Sequence, residues 1–399
     1  MNIPSIPGAY AQGSDEIRVG VIGCGGRGTG AAQNAVRAAD GVRIVALADA
    51  FQDRVDQSRK ILTERLGDKM SVTDDKVFVG LDAYQKLLAT DVNYVIMAAP
   101  PGFRPMHLKA AVDAGKHIFA EKPVAVDGAG VRSCLETHDA VNRKGLGLVG
   151  GTLYRHHTGY LETIKRVHDG QIGDIVGAWG WYNTTELWRH ERKPEWTDLE
   201  YQMRNWLYYT WLSGDHLVEQ AVHNVDALQW IMRANPVRAV ATGGRQTRTA
   251  PEFGHIYDHF AIDYEYPNGV HVHMFCRQQD GCDKKVANEV MGTKGRAFIL
   301  PQWYITGANP WKLETPLNDA YVTEHTNLIA SIRAGKPLNE LKTLAESTLA
   351  GILGREAAYT GSAMTWEQAL ATPSQWPAKL EWGPMPVPPV AMPGQATNE

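Results

Sequence analysis

From Ile17 to about Gly147, short apolar runs alternate with longer segments whose apolar residues recur at helical spacing. Ile17–Val21, extended by Ile22, reads as a buried strand. Thr29–Ala38 reads as an Ala-rich helix, and Val42–Ala48 as a second strand ending on Asp49. Helical spacing returns at Asp53–Leu66, Leu81–Leu88, Pro105–Ala114 and Gly128–Arg143, with strands at Asn93–Ala98, His117–Ala120 and Leu146–Gly150 between them. Strands alternating with helices predict a doubly wound parallel sheet. Beyond Gly150 the order changes. Thr158–His168 and Asp215–Met232 read as helices, and Asp174–Tyr182 as a strand. Strand-like runs then follow one another at Val237–Gly243, His255–Tyr266, Gly269–Arg277, Lys285–Met291 and Gly295–Leu300. Tyr266-Pro267-Asn268-Gly269 marks a hairpin. Helices resume at Ala320–Arg333 and Leu341–Tyr359. The predicted fold is α/β: a parallel doubly wound domain, then an α+β domain with an open, mainly antiparallel sheet.

Between the first strand and helix the chain reads Gly23-Cys24-Gly25-Gly26-Arg27-Gly28, a G-x-G-x-x-G turn. Gly23 permits the tight turn, Gly25 lets a pyrophosphate approach the backbone, and Gly28 lets the helix pack on the strand. The helix start supplies free N–H groups and the positive end of a dipole. Asp49 lies 21 residues beyond Gly28, where a carboxylate meets an adenosine ribose. In this context the turn is a dinucleotide site rather than an ordinary bend. Asp49, Ala98–Pro101 (with Ala99 and Pro100) and Glu121-Lys122-Pro123 all stand at strand ends, where such sheets bind ligands.

Composition adds exclusions. The 399 residues suggest two domains, and 44% hydrophobic with 21% charged residues is ordinary for a globular protein. A net charge of −4 without a basic block argues against nucleic acid or anionic membrane as partner. No apolar run reaches the length of a transmembrane helix. The cysteines Cys24, Cys134, Cys276 and Cys282 lack metal-ligand spacing and predict no disulfide framework. Ala9-Tyr10-Ala11 has the small-residue pattern that precedes signal-peptidase cleavage, and equally suits a flexible leader. Seven prolines from Ala371 onward predict an extended tail, either solvated or gripping a neighbouring subunit.

On the helix expected at Asp215–Met232, His216, Glu219, His223 and Asp226 fall in one wedge. Solvated faces usually carry Lys, Glu and Gln; this one has two histidines, two acids and no lysine. Two chemistries suit it: a metal held by two histidines and a carboxylate, or His223 as a general base oriented by Glu219. Lys122 is placed to hydrogen-bond a substrate hydroxyl. Six of the twelve tryptophans lie between Trp179 and Trp211, Trp206 among them, interleaved with Tyr182, Tyr201, Tyr208 and Tyr209. Such rings suit sugar faces, and equally an aromatic core or subunit interface. Tyr154-Arg155-His156 follows a predicted strand end, which suits the same cleft and equally a surface turn, whereas His271 and His273 read as ordinary sheet-face residues.

In order, the glycine turn, Ala98–Pro101 with His107 beyond it, Glu121-Lys122-Pro123, and Glu219-x-x-x-His223-x-x-Asp226 resemble the Gfo/Idh/MocA family (glucose–fructose oxidoreductase, inositol dehydrogenase) over about Ile17 to Tyr359. The resemblance implies a Rossmann domain at 16–147 and a substrate and oligomerisation domain at 148–370, between a leader at 1–15 and a tail at 371–399. It implies NAD, tightly bound, with Gly23 to Gly28, Asp49, Ala99, Pro100, His107, Glu121 and Lys122 around it. It implies Lys122, His223 and Glu219 as the catalytic group and no metal, with Glu219 standing where the family carries Asp. Tyr154, Arg155, Tyr182, Trp206, His216 and His223 are expected at the substrate. The expected activity is NAD-dependent oxidation of a sugar, glycoside or polyol hydroxyl by a homodimer or homotetramer. An NAD-dependent glycosidase working through transient ring oxidation is one alternative, and a non-catalytic dinucleotide sensor another. Arg27-Gly28 together with the leader resembles family members exported by the twin-arginine route, which implies a periplasmic protein, with a cytoplasmic one as the alternative.

Overall fold

The computed structural model describes residues 15–395. Ala9-Tyr10-Ala11 lies outside them. The described chain divides into two compact units. The first runs to Val124 and includes Ser133–Leu153 and Asp319–Leu344; the second comprises Ala125–Arg132, Tyr154–Asn318 and the chain from Ala345 on.

In the first unit six strands form an entirely parallel sheet: β1 (Ile17–Ile22), β2 (Val42–Asp49), β3 (Val77–Val79), β4 (Tyr94–Met97), β5 (His117–Ala120) and β6 (Leu148–Gly150). Their order is β3-β2-β1-β4-β5-β6. The chain reverses direction across the sheet between β1 and β4, the switch point at which doubly wound sheets bind ligands. Val19, Val21, Ile44, Leu47, Tyr94, Ile96, Phe119 and Val149 are buried in its core. Helix α1 (Gly26–Ala38) starts three residues earlier than the apolar pattern suggested, because the helix begins inside the glycine turn itself. At three residues, β3 is too short for periodicity to reveal.

One segment departs from the expected domain order. Helix Ala320–Arg333 falls within 148–370, the span expected for the second domain, yet Leu328, Ile329 and Ile332 are buried in the core of the parallel sheet. Its apolar stripe fits either domain; only packing decides which face it covers.

The second unit holds a nine-stranded sheet built from β7 (Ile175–Thr184), β8 (Arg238–Gly244), β9 (His259–Glu265), β10 (His271–Gln278), β11 (Lys285–Gly292), β12 (Gly295–Ile299), β13 (Trp303–Gly307), β14 (Trp311–Lys312) and β15 (Met364–Thr365). The order is β14-β13-β12-β11-β7-β10-β9-β8-β15. All pairs are antiparallel except β7 with β10. The Asn268-Gly269 turn joins β9 to β10, with Gly269 at φ +75° donating its N–H to the Tyr266 carbonyl. One face buries Ala178, Val272, Met274, Cys276 and Val290. Helix Val222–Met232 crosses this face so closely that a Cβ on Gly180 of β7 would stand 3.0 Å from a Leu228 methyl.

Among the described residues the tail has no helix or strand after Ala371, and it lies along its own unit. Gln202 donates to the Met385 carbonyl, Met385 N–H donates to Asp198, and Tyr257 OH donates to the Ala391 carbonyl. Among the described residues no helix is long and apolar enough to cross a membrane. None of the four cysteines is in a disulfide.

Candidate functional site

The turn from β1 into α1 is shaped by two glycines and left open by two others. Gly23 has φ +94°, and a Cβ there would stand 2.3 Å from the Ala99 nitrogen. A Cβ on Gly28 would stand 1.9 Å from the Gly23 carbonyl oxygen. These two are dictated by the protein's own packing. Gly25 has an ordinary φ of −70°, and Cβ atoms on Gly25 or Gly26 meet nothing within 4 Å. What their missing side chains leave is a bare backbone at the start of α1, whose N-cap makes no side-chain hydrogen bond. Unsatisfied N–H groups, a dipole end and room for close approach fit a pyrophosphate. These residues therefore fit a dinucleotide.

Asp49 ends β2 and does more than the sequence suggested. Its Oδ2 accepts the Cys24 N–H at 2.7 Å and its Oδ1 accepts the Phe51 N–H at 3.0 Å. The carboxylate thus pins the glycine turn and keeps lone pairs free for ribose hydroxyls, since roughly four acceptor sites are available. Burial raises its pKa, while the two N–H groups and the nearby Arg54 charge oppose that shift. Cys24 is buried, its thiol 3.5 Å from the Ala48 carbonyl and pushed well up by burial. It is a packing residue whose N–H holds the Asp49 carboxylate.

The Ala98–Pro101 turn is held by a residue that pattern reasoning missed. Arg104 is fully buried and donates to the carbonyls of Met97 at 2.6 Å and Ala99 at 2.7 Å. Burial lowers its pKa to about 10, so it stays charged. A lone arginine after Pro-Pro-Gly-Phe carries no periodic signal that would single it out. His107 was expected beside the cofactor. The structure instead buries it against Tyr84 and Phe103, with ring centroids at 4.3 and 5.7 Å. Burial, then the Arg104 charge, drives its pKa down to about 3, and the ring is neutral. Glu121 and Lys122 follow β5, and the Glu121 carboxylate binds Arg27 of the turn at 2.5 Å. Arg27 is therefore an internal partner rather than a free phosphate ligand.

In the second unit the wedge expected on one helix is broken. His216–Glu219 and Val222–Met232 are separate helices. The Ala221 N–H reaches back five residues to the His216 carbonyl, and the Asn224 N–H only three to Ala221. Helical phase is lost between them, so a wheel drawn through all four residues misplaces the later pair. Asp215 enters at φ +72°, fully buried, accepting from Tyr257 N–H at 2.8 Å and Tyr359 OH at 2.5 Å. His216 is buried with Nδ1 2.9 Å from Asp215 Oδ1 and its ring against Phe260. Asp226 is fully buried and takes Arg155 in a forked pair, Nε at 2.9 Å and Nη2 at 2.9 Å, and also Ser347 at 2.5 Å. Arg155, expected at the substrate, is thus committed to Asp226 and stacked over Trp230.

The remaining residues do assemble. His223 is half-buried with its ring 5.2 Å from that of Tyr154, which stacks on Tyr160 at 4.1 Å. Tyr182 OH donates to Gln220 Oε1 at 3.1 Å, and Gln220 Nε2 donates to the Glu219 carboxylate. Trp206 lies elsewhere on the aromatic segment, edge-on to Trp188 at 6.2 Å. A half-buried imidazole beside a tyrosine, with a second tyrosine linked through Gln220 to an acid, can bind hydroxyls and move a proton. Among the described residues no group of three or more His, Cys, Asp or Glu is placed to hold a metal ion.

A family model described as an oxidoreductase family with an NAD-binding Rossmann fold matches residues 17–149, and the Gfo/Idh/MocA C-terminal domain matches 160–298. An inositol 2-dehydrogenase of Saccharopolyspora erythraea is 28% identical over 282 residues, 70% of this chain and 72% of its own. A glycosyl hydrolase family 109 protein of Streptomyces niveus is 28% identical over 203 residues, 50% of this chain and 38% of its own. The scyllo-inositol dehydrogenase of Lactobacillus casei, solved with NAD(H) and scyllo-inositol, superimposes with a TM-score of 0.67 at 18% identity, covering 88% of this chain and 99% of that one. At that identity the likeness establishes the fold.

Proposed function

The chain belongs to the Gfo/Idh/MocA oxidoreductase family, and from that premise we propose that it is an NAD-dependent dehydrogenase of a cyclic polyol or sugar. The observation that carries this is the Tyr154–His223 pair, together with the Tyr182–Gln220–Glu219 chain. Hydroxyl-rich substrates need several fixed donors and acceptors, and oxidation of an alcohol needs a base near neutral pH. NAD, when bound, supplies the hydride acceptor. The turn from Gly23 to Gly28 and Asp49 hold it. His223 takes the proton of the substrate hydroxyl, Glu219 orients His223, and the Lys122 ammonium stabilises the alkoxide as it forms. Incubation with inositols, aldoses and glycosides in excess NAD, read at 340 nm, tests the reading. The expected result is NADH formed in step with a keto product, lost in Lys122→Ala.

The hydrolase relative supports a second reading, in which oxidation is transient and the hydride returns. Steady nitrophenol release from a nitrophenyl glycoside at catalytic NAD, with no NADH accumulating, would put that reading first. A homodimer or homotetramer belongs to the proposal, supported by the half-exposed Trp179, Trp181, His273 and Phe275 on one face of the second sheet. A monomer in sedimentation velocity overturns it. Periplasmic residence with tightly retained NAD is also proposed, and is checked by cell fractionation and by cofactor content after purification.

A further inference from the structure

We propose that Arg27 is a positioning residue that couples the glycine turn to the Glu121-Lys122 segment, with Glu324 as its second anchor. The inference rests on the NAD-dependent reading above. Arg27 is the second residue of α1, where a cation opposes the helix dipole. Its side chain is turned aside. Nε donates to Glu121 Oε1 at 2.5 Å and Nη2 donates to Glu324 Oε1 at 3.0 Å. The guanidinium lies within cation–π reach of Tyr321 at 4.8 Å and Phe119 at 5.8 Å. Segments near residues 27, 121 and 324 therefore meet on one planar group.

The surroundings are shaped for this contact. A Cβ on Gly151 would stand 2.5 Å from Glu121 Oε2, so glycine there leaves Glu121 the space it occupies. Glu324 is fully buried, and its Oε2 has no hydrogen-bond partner. Burial, then the Glu121 charge, pushes the Glu324 carboxyl well above its usual range. Two acids on one half-buried cation are not a stabilising device, since the fully buried Glu324 adds desolvation that the pair does not recover. What the arrangement provides is stiffness. A guanidinium fork binds two carboxylates along different edges in a fixed plane, which an ammonium does not. A shift of the turn as pyrophosphate seats is carried through this plane to Glu121, and Glu121 is bonded to Lys122.

Amide hydrogen exchange with and without saturating NAD tests the coupling without any substrate. In the wild type NAD is expected to slow exchange at 23–28, 119–124 and 321–326. In Arg27→Met, protection at 23–28 persists and the NAD-dependent difference at the other two segments is lost. A purely structural arginine would raise exchange there equally in both states and leave the difference intact. Arg27→Lys, which reaches one carboxylate, is the milder variant should Arg27→Met fail to fold. It is expected to lose the response in at least one distal segment. Turnover of either variant is expected to fall, by up to about 100-fold for misplacement near 1 Å, with NAD Kd changing far less. NAD-dependent protection retained at both distal segments in these variants overturns this inference alone. Absence of NAD binding to the wild type overturns it together with the proposed function.

Discussion

In the first unit three charged side chains near the strand ends are engaged with the protein itself: Arg27 with Glu121 and Glu324, Arg104 with two carbonyls, Asp49 with two backbone N–H groups. What the glycine turn offers a pyrophosphate is backbone, bare at Gly25 and Gly26. In the second unit the buried ion pair of Arg155 and Asp226 forms the frame, and the groups proposed to act are side chains, His223 with Tyr154 and Tyr182. The contrast follows from what each must recognise. A pyrophosphate is the same in every cofactor, and fixed N–H groups bind it with little dependence on side chains. A hydroxyl that loses a proton needs a titratable group, and only side chains titrate near neutral pH.

The contrast is sharpened most by His223→Ala. Turnover is expected to fall roughly 10²–10⁴-fold, the usual share of a general base, while NAD binding by calorimetry is unchanged. Glu219→Gln should cost less, because it acts through His223. Should His223→Ala keep full turnover, the proton is taken by another group and the division of labour fails.

Arg155→Met tests the frame. It leaves Asp226 buried and unpaired, for which about 3–5 kcal/mol of stability is expected to be lost in urea unfolding. A loss under 1 kcal/mol, with substrate KM raised instead, would return Arg155 to the substrate.

The pH dependence of the first unit comes next in size. His107 has a folded pKa of about 3, below the usual 6.5, so the folded state prefers the neutral ring. Its burial costs nothing above pH 6.5, and the unfolded chain gains on protonation as pH falls from 6.5 towards 3. At pH 5 the penalty is about 2 kcal/mol. His107→Phe should lose less stability than the wild type between pH 7 and pH 5 by about that amount. Parallel curves for the two proteins would exclude His107 as the source.

Gly25→Ala has the smallest expected effect and the cleanest sign. With open space around the added Cβ, stability should change by less than about 1 kcal/mol. NAD affinity should fall by about tenfold or more, near 1.4 kcal/mol. Unchanged affinity would mean that the bare backbone is not the binding surface.

The strand–turn–helix–strand run from Ile17 to Asp49 is legible in the sequence because each of its signals is local: period-2 and period-3.6 apolar spacing, glycines where the backbone turns, an acid at the second strand's end. The parallel sheet and most of the strand-rich second half are legible for the same reason; Val77–Val79, Trp303–Gly307, Trp311–Lys312 and Met364–Thr365 escape the pattern. Candidate residues were findable by type, His223 and Lys122 included, but their surroundings were not. The break near Gln220 leaves no mark in the apolar pattern, since Leu217, Val218, Val222 and Val225 are spaced in the sequence as on one unbroken helix. Tertiary structure alone gave helix Ala320–Arg333 to the parallel sheet, Glu324 to Arg27 across 297 positions, and Arg155 to Asp226 across 71. An ion pair is set by where two backbones bring their side chains, and no spacing rule extends over such separations.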